Sequence, residues 1–217
     1  MPPVIQLTRR GAMRNDAELD ALRRTFDEQQ CAALRGFLEP ALLSEIQAQM
    51  ERGEFREFAH GSLATERRLE TGICTGLLHF LTNDPQLFRV VESVTGCTGI
   101  RSFAGRVYRR FPGRHYDNWH DDVVAPPEPR RLVGMSVNLS ADVYTGGVFE
   151  IRDAETERLL ASLPNVGFGD AILFRLSDSL EHRVSEVRGT LPKTAFAGWF
   201  LADHLDFDTI LHEIERP

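Results

Sequence analysis

In the N-terminal half, apolar positions recur at helical spacing in several stretches. The segment ALLSEIQAQMERG follows Glu39-Pro40 and places Leu42, Leu43, Ile46 and Met50 on one face, with proline in the first turn, where its missing N–H has no partner to lose. Thr75–Leu81 and Asp84–Val94 repeat the pattern, and the second offers Asp84 as a cap and Pro85 at the first helical position. A short helix is predicted from Asp16, as its cap, through Arg24, and a strand over Cys31–Leu38. Residues 1–15 show no period and read as a tail or edge segment, and residues 53–73 read as polar and irregular.

From about Ile100 the period shortens. IRSFAGRVYRRF, RLVGMSVNLS, GGVFEIRD, RLLASLP, DAILFR, HRVSEV and KTAFAGWFLA are short apolar stretches separated by Pro-Gly, Gly-Gly and Gly-Asp turns. Strands at this spacing predict a β-sandwich or jelly roll, with a closing helix over Phe207–Ile214 capped by Asp206. The expected organisation is one domain over 1–217, with 1–99 mostly helical support and 100–203 the β core that carries the site.

Charge narrows the class. The 217 residues carry a net charge of −7, against the basic surface that nucleic-acid binding requires. No apolar run reaches the roughly 18 residues of a membrane span, and MPPVIQLTRRGAMRND lacks the apolar core of a secretory signal. The three cysteines, Cys31, Cys74 and Cys97, form no CxxC pair and fit buried thiols in a reducing cytoplasm. Of the 25 basic residues only Lys193 is a lysine, which raises the question of what arginine could not do there.

Seven histidines are present: His60, His79, His115, His120, His182, His204 and His212. Two His-x-Asp pairs, His115/Asp117 and His120/Asp122, lie in one dense polar stretch, and His182 stands at the start of a predicted strand. Two imidazoles and a carboxylate on one face of a metal leave open positions for a co-substrate and O2, the arrangement of non-haem Fe(II) oxygenases. His-x-Asp alone is a common triplet, and either pair could serve.

The surroundings carry more. YRRFPGRHYDNWHDD, RRLVGMSVNLSADVYTGGVFEIRD and GDAILFRLSDSLEHRVSEVRGTLPKTAFAGWF resemble, in order, the three core motifs of the 2-oxoglutarate/Fe(II)-dependent dioxygenases, in particular the prolyl 4-hydroxylase-like branch. The resemblance covers about residues 100–202 and implies a double-stranded β-helix (jelly roll, cupin-like) core packed on helices. It implies His120 and Asp122 as the proximal metal ligands, since the Gly113-to-His120 spacing fits better than Gly113-to-His115, and His182 as the distal ligand. It implies Lys193 as the cation that binds the far carboxylate of 2-oxoglutarate, with Asn138 and Tyr108 as further contacts to that co-substrate and Trp199 as a pocket wall. Arg188 is the rival anion binder, because Val184-Ser185-Glu186-Val187 replaces the common Val-x-Pro-Val and Leu191-Pro192 lengthens the turn before Lys193. Retention of Asp122 points to hydroxylation, since halogenating relatives lack that carboxylate.

The implied activity is oxidation of a small molecule or peptidyl residue with Fe(II), 2-oxoglutarate and O2, ascorbate serving as reductant, and with no nucleic-acid or membrane partner. The stretches 53–73 and 114–130 are candidate lids, and Arg67, Arg68 and Arg114 are candidates to meet an acidic substrate group. A metal-binding cupin, either an isomerase or a ligand-binding protein, is the competing reading; it has no evident use for a cation opposite the metal. A non-catalytic relative would have no need of the intact His120, Asp122 and His182. His60 and His79 read as structural.

Overall fold

The structure is a computed structural model, and it describes residues 2–60, 64–113, 118–126, 128–164 and 167–203. In chain order its elements are β1 (Ile5–Thr8), β2 (Gly11–Arg14), α1 (Leu19–Gln29), β3 (Cys31–Leu34), α2 (Pro40–Glu51), β4 (Phe55–His60), β5 (Ala64–Leu69), α3 (Ile73–Thr82), α4 (Pro85–Thr95), β6 (Ser102–Arg110), β7 (Arg131–Asn138), β8 (Thr145–Gly146), β9 (Phe149–Asp153), β10 (Leu159–Leu163), β11 (Ala171–Arg175), β12 (Leu180–Val184), β13 (Val187–Arg188) and β14 (Lys193–Leu201). The helix expected over Phe207–Ile214 lies outside the described residues.

A seven-stranded antiparallel sheet runs in the order β3-β11-β7-β14-β6-β5-β4, and a smaller sheet, β10-β9-β12, faces it. The result is a jelly roll whose large sheet has two unlike faces. Alternate residues of a strand point to opposite sides. Phe103 and Val107 of β6, Val133 and Val137 of β7, and Phe196 and Phe200 of β14 join the main core with Leu42, Ile46, Leu78, Leu87 and Val90 of the helices. Ile172 and Phe174 of β11 point the other way and pack with Phe149, Ile151 and Leu180 of the small sheet. The middle of that inner face carries small residues, Gly134 and Ser136 on β7 and Ala195 and Ala197 on β14. They leave the space between the sheets unfilled, and the cavity described below occupies it.

The predicted helices at Pro40 and Pro85 form as expected, and Asp84 accepts from the Gln86 N–H at 2.6 Å. Three readings are corrected. Residues 1–15 contain the hairpin β1–β2, and β1 is tied to the segment after β3 by the Leu7 N–H to the Phe37 carbonyl at 2.7 Å. The cap before α1 is Asn15, at the start of a 3₁₀ turn over Asp16–Glu18. Residues 53–73 are not irregular: β4 and β5 form a hairpin that extends the large sheet, β5 pairing with β6. The polar reading failed there because Glu66 and Arg68, on the inner face, pair with each other at 2.9 Å, so charge stands where an apolar residue marks most half-buried strands.

Candidate functional site

The backbone first brings His120 and His182 together. His120 is bridged to His182 on β12 by two hydrogen bonds, 3.1 Å from the His120 N–H to the His182 carbonyl and 2.8 Å in return. The segment 118–122 thereby continues the edge of the small sheet. The residue before His120, Trp119, lies under two guanidinium groups, Arg152 at 4.4 Å and Arg183 at 4.5 Å from its ring. Each arginine is held by a carboxylate across the sheet, Arg152 by Glu181 and Arg183 by Glu150, both at 2.7 Å. Two residues after His120, Asp122 turns the chain back with φ of 61°, a left-handed conformation that Asp tolerates better than most.

One ligand-type atom from each of His120, Asp122 and His182 lies within 4.8 Å of the others. His182 Nε2 is 3.3 Å from Asp122 Oδ2, and His120 Nε2 is 4.0 Å from Asp122 Oδ1. His120 Nδ1 is 2.9 Å from the Asn118 carbonyl, which assigns the ring proton to Nδ1 and leaves Nε2 as the lone-pair nitrogen. Burial, and then the nearby His182, lower the pKa of His120 and favour its neutral form. Burial alone would raise Asp122, but the His182 hydrogen bond, the charge of both imidazoles and the Trp199 indole outweigh it and hold the carboxyl at about 2. The set is two imidazoles and one carboxylate in a half-buried pocket, a donor set that Fe(II) accepts. His182 is fixed further by aromatic neighbours, Phe174 at 4.6 Å and Phe149 stacked at 5.9 Å between ring centres. The alternative pair, His115/Asp117, lies outside the described residues, as do Arg114, His204 and His212.

The three side chains line a cavity of about 640 Å³ between the sheets, with Tyr108, Arg106, Arg110, Glu66, Arg68 and Trp199 among its walls. Lys193 is on the inner face of β14, in the alternation that includes Ala197 and Trp199, and is 1% exposed. Its Nζ donates to the Gly147 carbonyl at 2.7 Å and stands 5.7 Å from the Tyr144 ring. Burial, with Arg110 adding to it, lowers its pKa to about 7. Tyr108, across the sheet from Ala195, lines the cavity and is buried. Asn138 is buried and, like Lys193, is not among the residues that line the cavity; its amide donates to the Gly167 carbonyl at 3.1 Å and accepts the Ser140 N–H at 3.0 Å. Arg188, with a 72% exposed side chain paired to Glu186, is outside the cavity. His79 is structural, accepting the Gly105 N–H at 3.3 Å in the main core. Reasoning from sequence missed Arg106, Arg110 and Glu66; their signal is the alternation of charge along RVYRR and ATERRL.

Comparison with known proteins adds the following. Residues 105–201 match the 2OG-Fe(II) oxygenase superfamily. Among curated protein sequences no match is found. Solved structures that share the fold include an oxidoreductase of the 2OG-Fe(II) oxygenase family from Burkholderia pseudomallei, at TM-score 0.67 and 15% identity, covering 92% of this chain and 96% of that one. A prolyl-4-hydroxylase from Pseudomonas putida aligns at TM-score 0.63 and 19% identity, over 85% and 99% of the two chains. A Trichoplax adhaerens prolyl hydroxylase, solved with a hypoxia inducible factor oxygen degradation domain peptide fragment, aligns at TM-score 0.59 and 13% identity, over 90% and 91%.

Proposed function

The chain belongs, through residues 105–201, to the 2OG-Fe(II) oxygenase superfamily, and on that premise we propose that it hydroxylates an unactivated C–H bond of a small molecule or peptidyl residue, releasing succinate and CO2 from 2-oxoglutarate. The observation that carries this reading is the convergence of His120, Asp122 and His182 on one point of the cavity. We assign these three as the iron ligands. Iron bound there supplies the O2 activation that side chains cannot.

The chain's own work is positioning and electrostatics. The Asn118 carbonyl holds the His120 ring in the tautomer that presents Nε2, and Trp199 holds one oxygen of Asp122. Lys193 is assigned the far carboxylate of 2-oxoglutarate. In support, it is a buried ammonium whose charged neighbour is another cation, Arg110, and an anion would relieve that arrangement. Tyr108, which lines the cavity on the neighbouring strand β6, is assigned as a second contact to that carboxylate. A cupin isomerase or binding protein would leave the buried Lys193 without a purpose.

No helix among the described residues is long and apolar enough to cross a membrane, and the three cysteines are free. The free thiols support a cytoplasmic enzyme. The test is succinate release over panels of peptides, amino acids and other small molecules, with Fe(II), 2-oxoglutarate and ascorbate supplied and iron content measured on the same sample. Substrate-stimulated succinate is the expected result. Protein that holds iron at unit stoichiometry and consumes no 2-oxoglutarate, with or without substrate, would exclude the activity.

A further inference from the structure

The outer face of the small sheet carries four charged residues in alternation. β9 and β12 pair with Ile151 opposite His182, both buried on the inner side. Their chain neighbours therefore point outward, Arg152 opposite Glu181 and Glu150 opposite Arg183. Each of these is an ion pair of 2.7 Å. The carboxylates hold the two guanidinium groups over the sheet, and the half-buried indole of Trp119 lies against both. A planar guanidinium is well suited to stack on an aromatic face. Among the described residues Trp119 joins neither of the two apolar cores, so its neighbours here are the arginines and not a hydrophobic cluster.

This contact stands on the opposite side of the chain from the metal set. His120 meets His182 in an isolated bridge, not in a ladder of several pairs. So short a pairing specifies its register weakly, and a slip of one residue would turn every side chain to the other face. Trp119 and His120 are successive residues, so an indole fixed on the outer face puts the imidazole on the inner one. Asp122, two residues further on, is carried to the set by the same segment.

We propose that Trp119 is a positioning residue for the metal site: held against Arg152 and Arg183, it locks the register that turns His120 and Asp122 into the cavity. The inference rests on the proposed assignment of His120, Asp122 and His182 as iron ligands. Trp119 itself touches neither iron nor co-substrate, and acts only through the residues that follow it. The arginines and their carboxylates on β9 and β12 are the fixed surface against which the segment 118–122 is set.

The test is anaerobic Fe(II) titration of the full chain as wild type, Trp119→Leu, Trp119→Phe and His120→Ala. Trp119→Leu keeps apolar bulk and loses the aromatic face, and should weaken Fe(II) binding by about tenfold or more, as outer partners of metal ligands do. Trp119→Phe restores a face for the arginines and should bind within about threefold of wild type. At saturating Fe(II) and 2-oxoglutarate the Leu variant should recover the visible charge-transfer band, because its ligands are intact and only their placement has loosened. A separate arm, the double variant Arg152→Met with Arg183→Met, leaves the indole in place and should weaken Fe(II) by about fivefold. It keeps the proposal open to refutation where Trp119→Leu does not fold. Wild-type affinity in Trp119→Leu or in the double arginine variant, equal loss in the Phe and Leu variants, or a band that saturating iron does not recover, overturns the proposal. If His120→Ala binds Fe(II) as tightly as wild type, the assignment of the metal ligands has failed instead.

Discussion

Trp199 donates its indole N–H to Oδ2 of Asp122 at 3.0 Å, joining the last strand to a loop 77 residues earlier in the chain. Arg131 secures the same pair: its guanidinium lies 3.7 Å from the centre of the indole ring, and its Nη1 donates to the Asp122 backbone carbonyl at 3.3 Å. A carboxylate on a residue with positive φ is thus held at both its backbone and its side chain. Trp199→Phe keeps the aromatic face for Arg131 and removes only the N–H. Because outer partners of metal ligands typically matter by about 10–100-fold, Fe(II) affinity should fall by about tenfold, with fold stability changing by no more than about 1.5 kcal/mol. Anaerobic Fe(II) titration and denaturant unfolding measure the two effects separately.

Lys193 should make 2-oxoglutarate binding depend on pH. Facing it are Arg110 on β6, the Tyr144 ring and the Gly147 carbonyl, and its folded pKa is about 7 against an ordinary 10.5. Between those values the unfolded chain holds a proton that the folded chain lacks. The residue's contribution to stability therefore rises with pH through this window, and its cost is greatest below about 7. A bound carboxylate favours the ammonium form, so binding above pH 7 must take up a proton. Affinity for 2-oxoglutarate should fall as pH rises, approaching tenfold per unit. Lys193→Arg stays charged throughout and should flatten this dependence. Equal slopes in the two proteins would take Lys193 out of the co-substrate site.

Gly134 allows the inner face to hold its aromatic cluster. It pairs with Phe174 across β7 and β11, and a Cβ at this position would overlap the Phe174 ring. That ring is 4.6 Å from the ring of His182. Gly134→Ala should cost about 1–3 kcal/mol as an overpacked core position and should also weaken iron binding, because Phe174 can only move toward the histidine or out of the cluster. Thermal unfolding with and without Fe(II) checks both consequences.

The elements that read well from sequence were those in which one face is apolar. Helices α2 and α4 show their period and their proline starts, and β6, β7, β9, β11 and β14 bury at least every second residue in a core. The hairpin β4–β5 was illegible for the opposite reason: its inner positions are charged, and the pairing of Glu66 with Arg68 and Arg110 that makes this tolerable depends on strand neighbours no local pattern reveals. The site divides along the same line. His120, Asp122 and His182 sit in motifs, and the structure brings them together. Asn138 sits in a motif too, and its hydrogen bonds to Gly167 and Ser140 are contacts that no motif reveals. Arg106 was unmarked because its place shows only once β6 is paired on both sides, with Arg68 on one adjacent strand and Trp199 on the other.

The central claim is that iron and 2-oxoglutarate meet at His120, Asp122 and His182. It is tested most directly by adding Fe(II) and 2-oxoglutarate without oxygen and recording the visible spectrum of the wild-type protein, His120→Ala, His182→Ala and His115→Ala. A weak metal-to-ligand charge-transfer band should form in the wild type and in His115→Ala, and be lost in His120→Ala and His182→Ala. A band lost in His115→Ala but kept in His120→Ala would move the metal to the other His-x-Asp pair, and its absence from wild-type protein shown to hold iron would contradict the account.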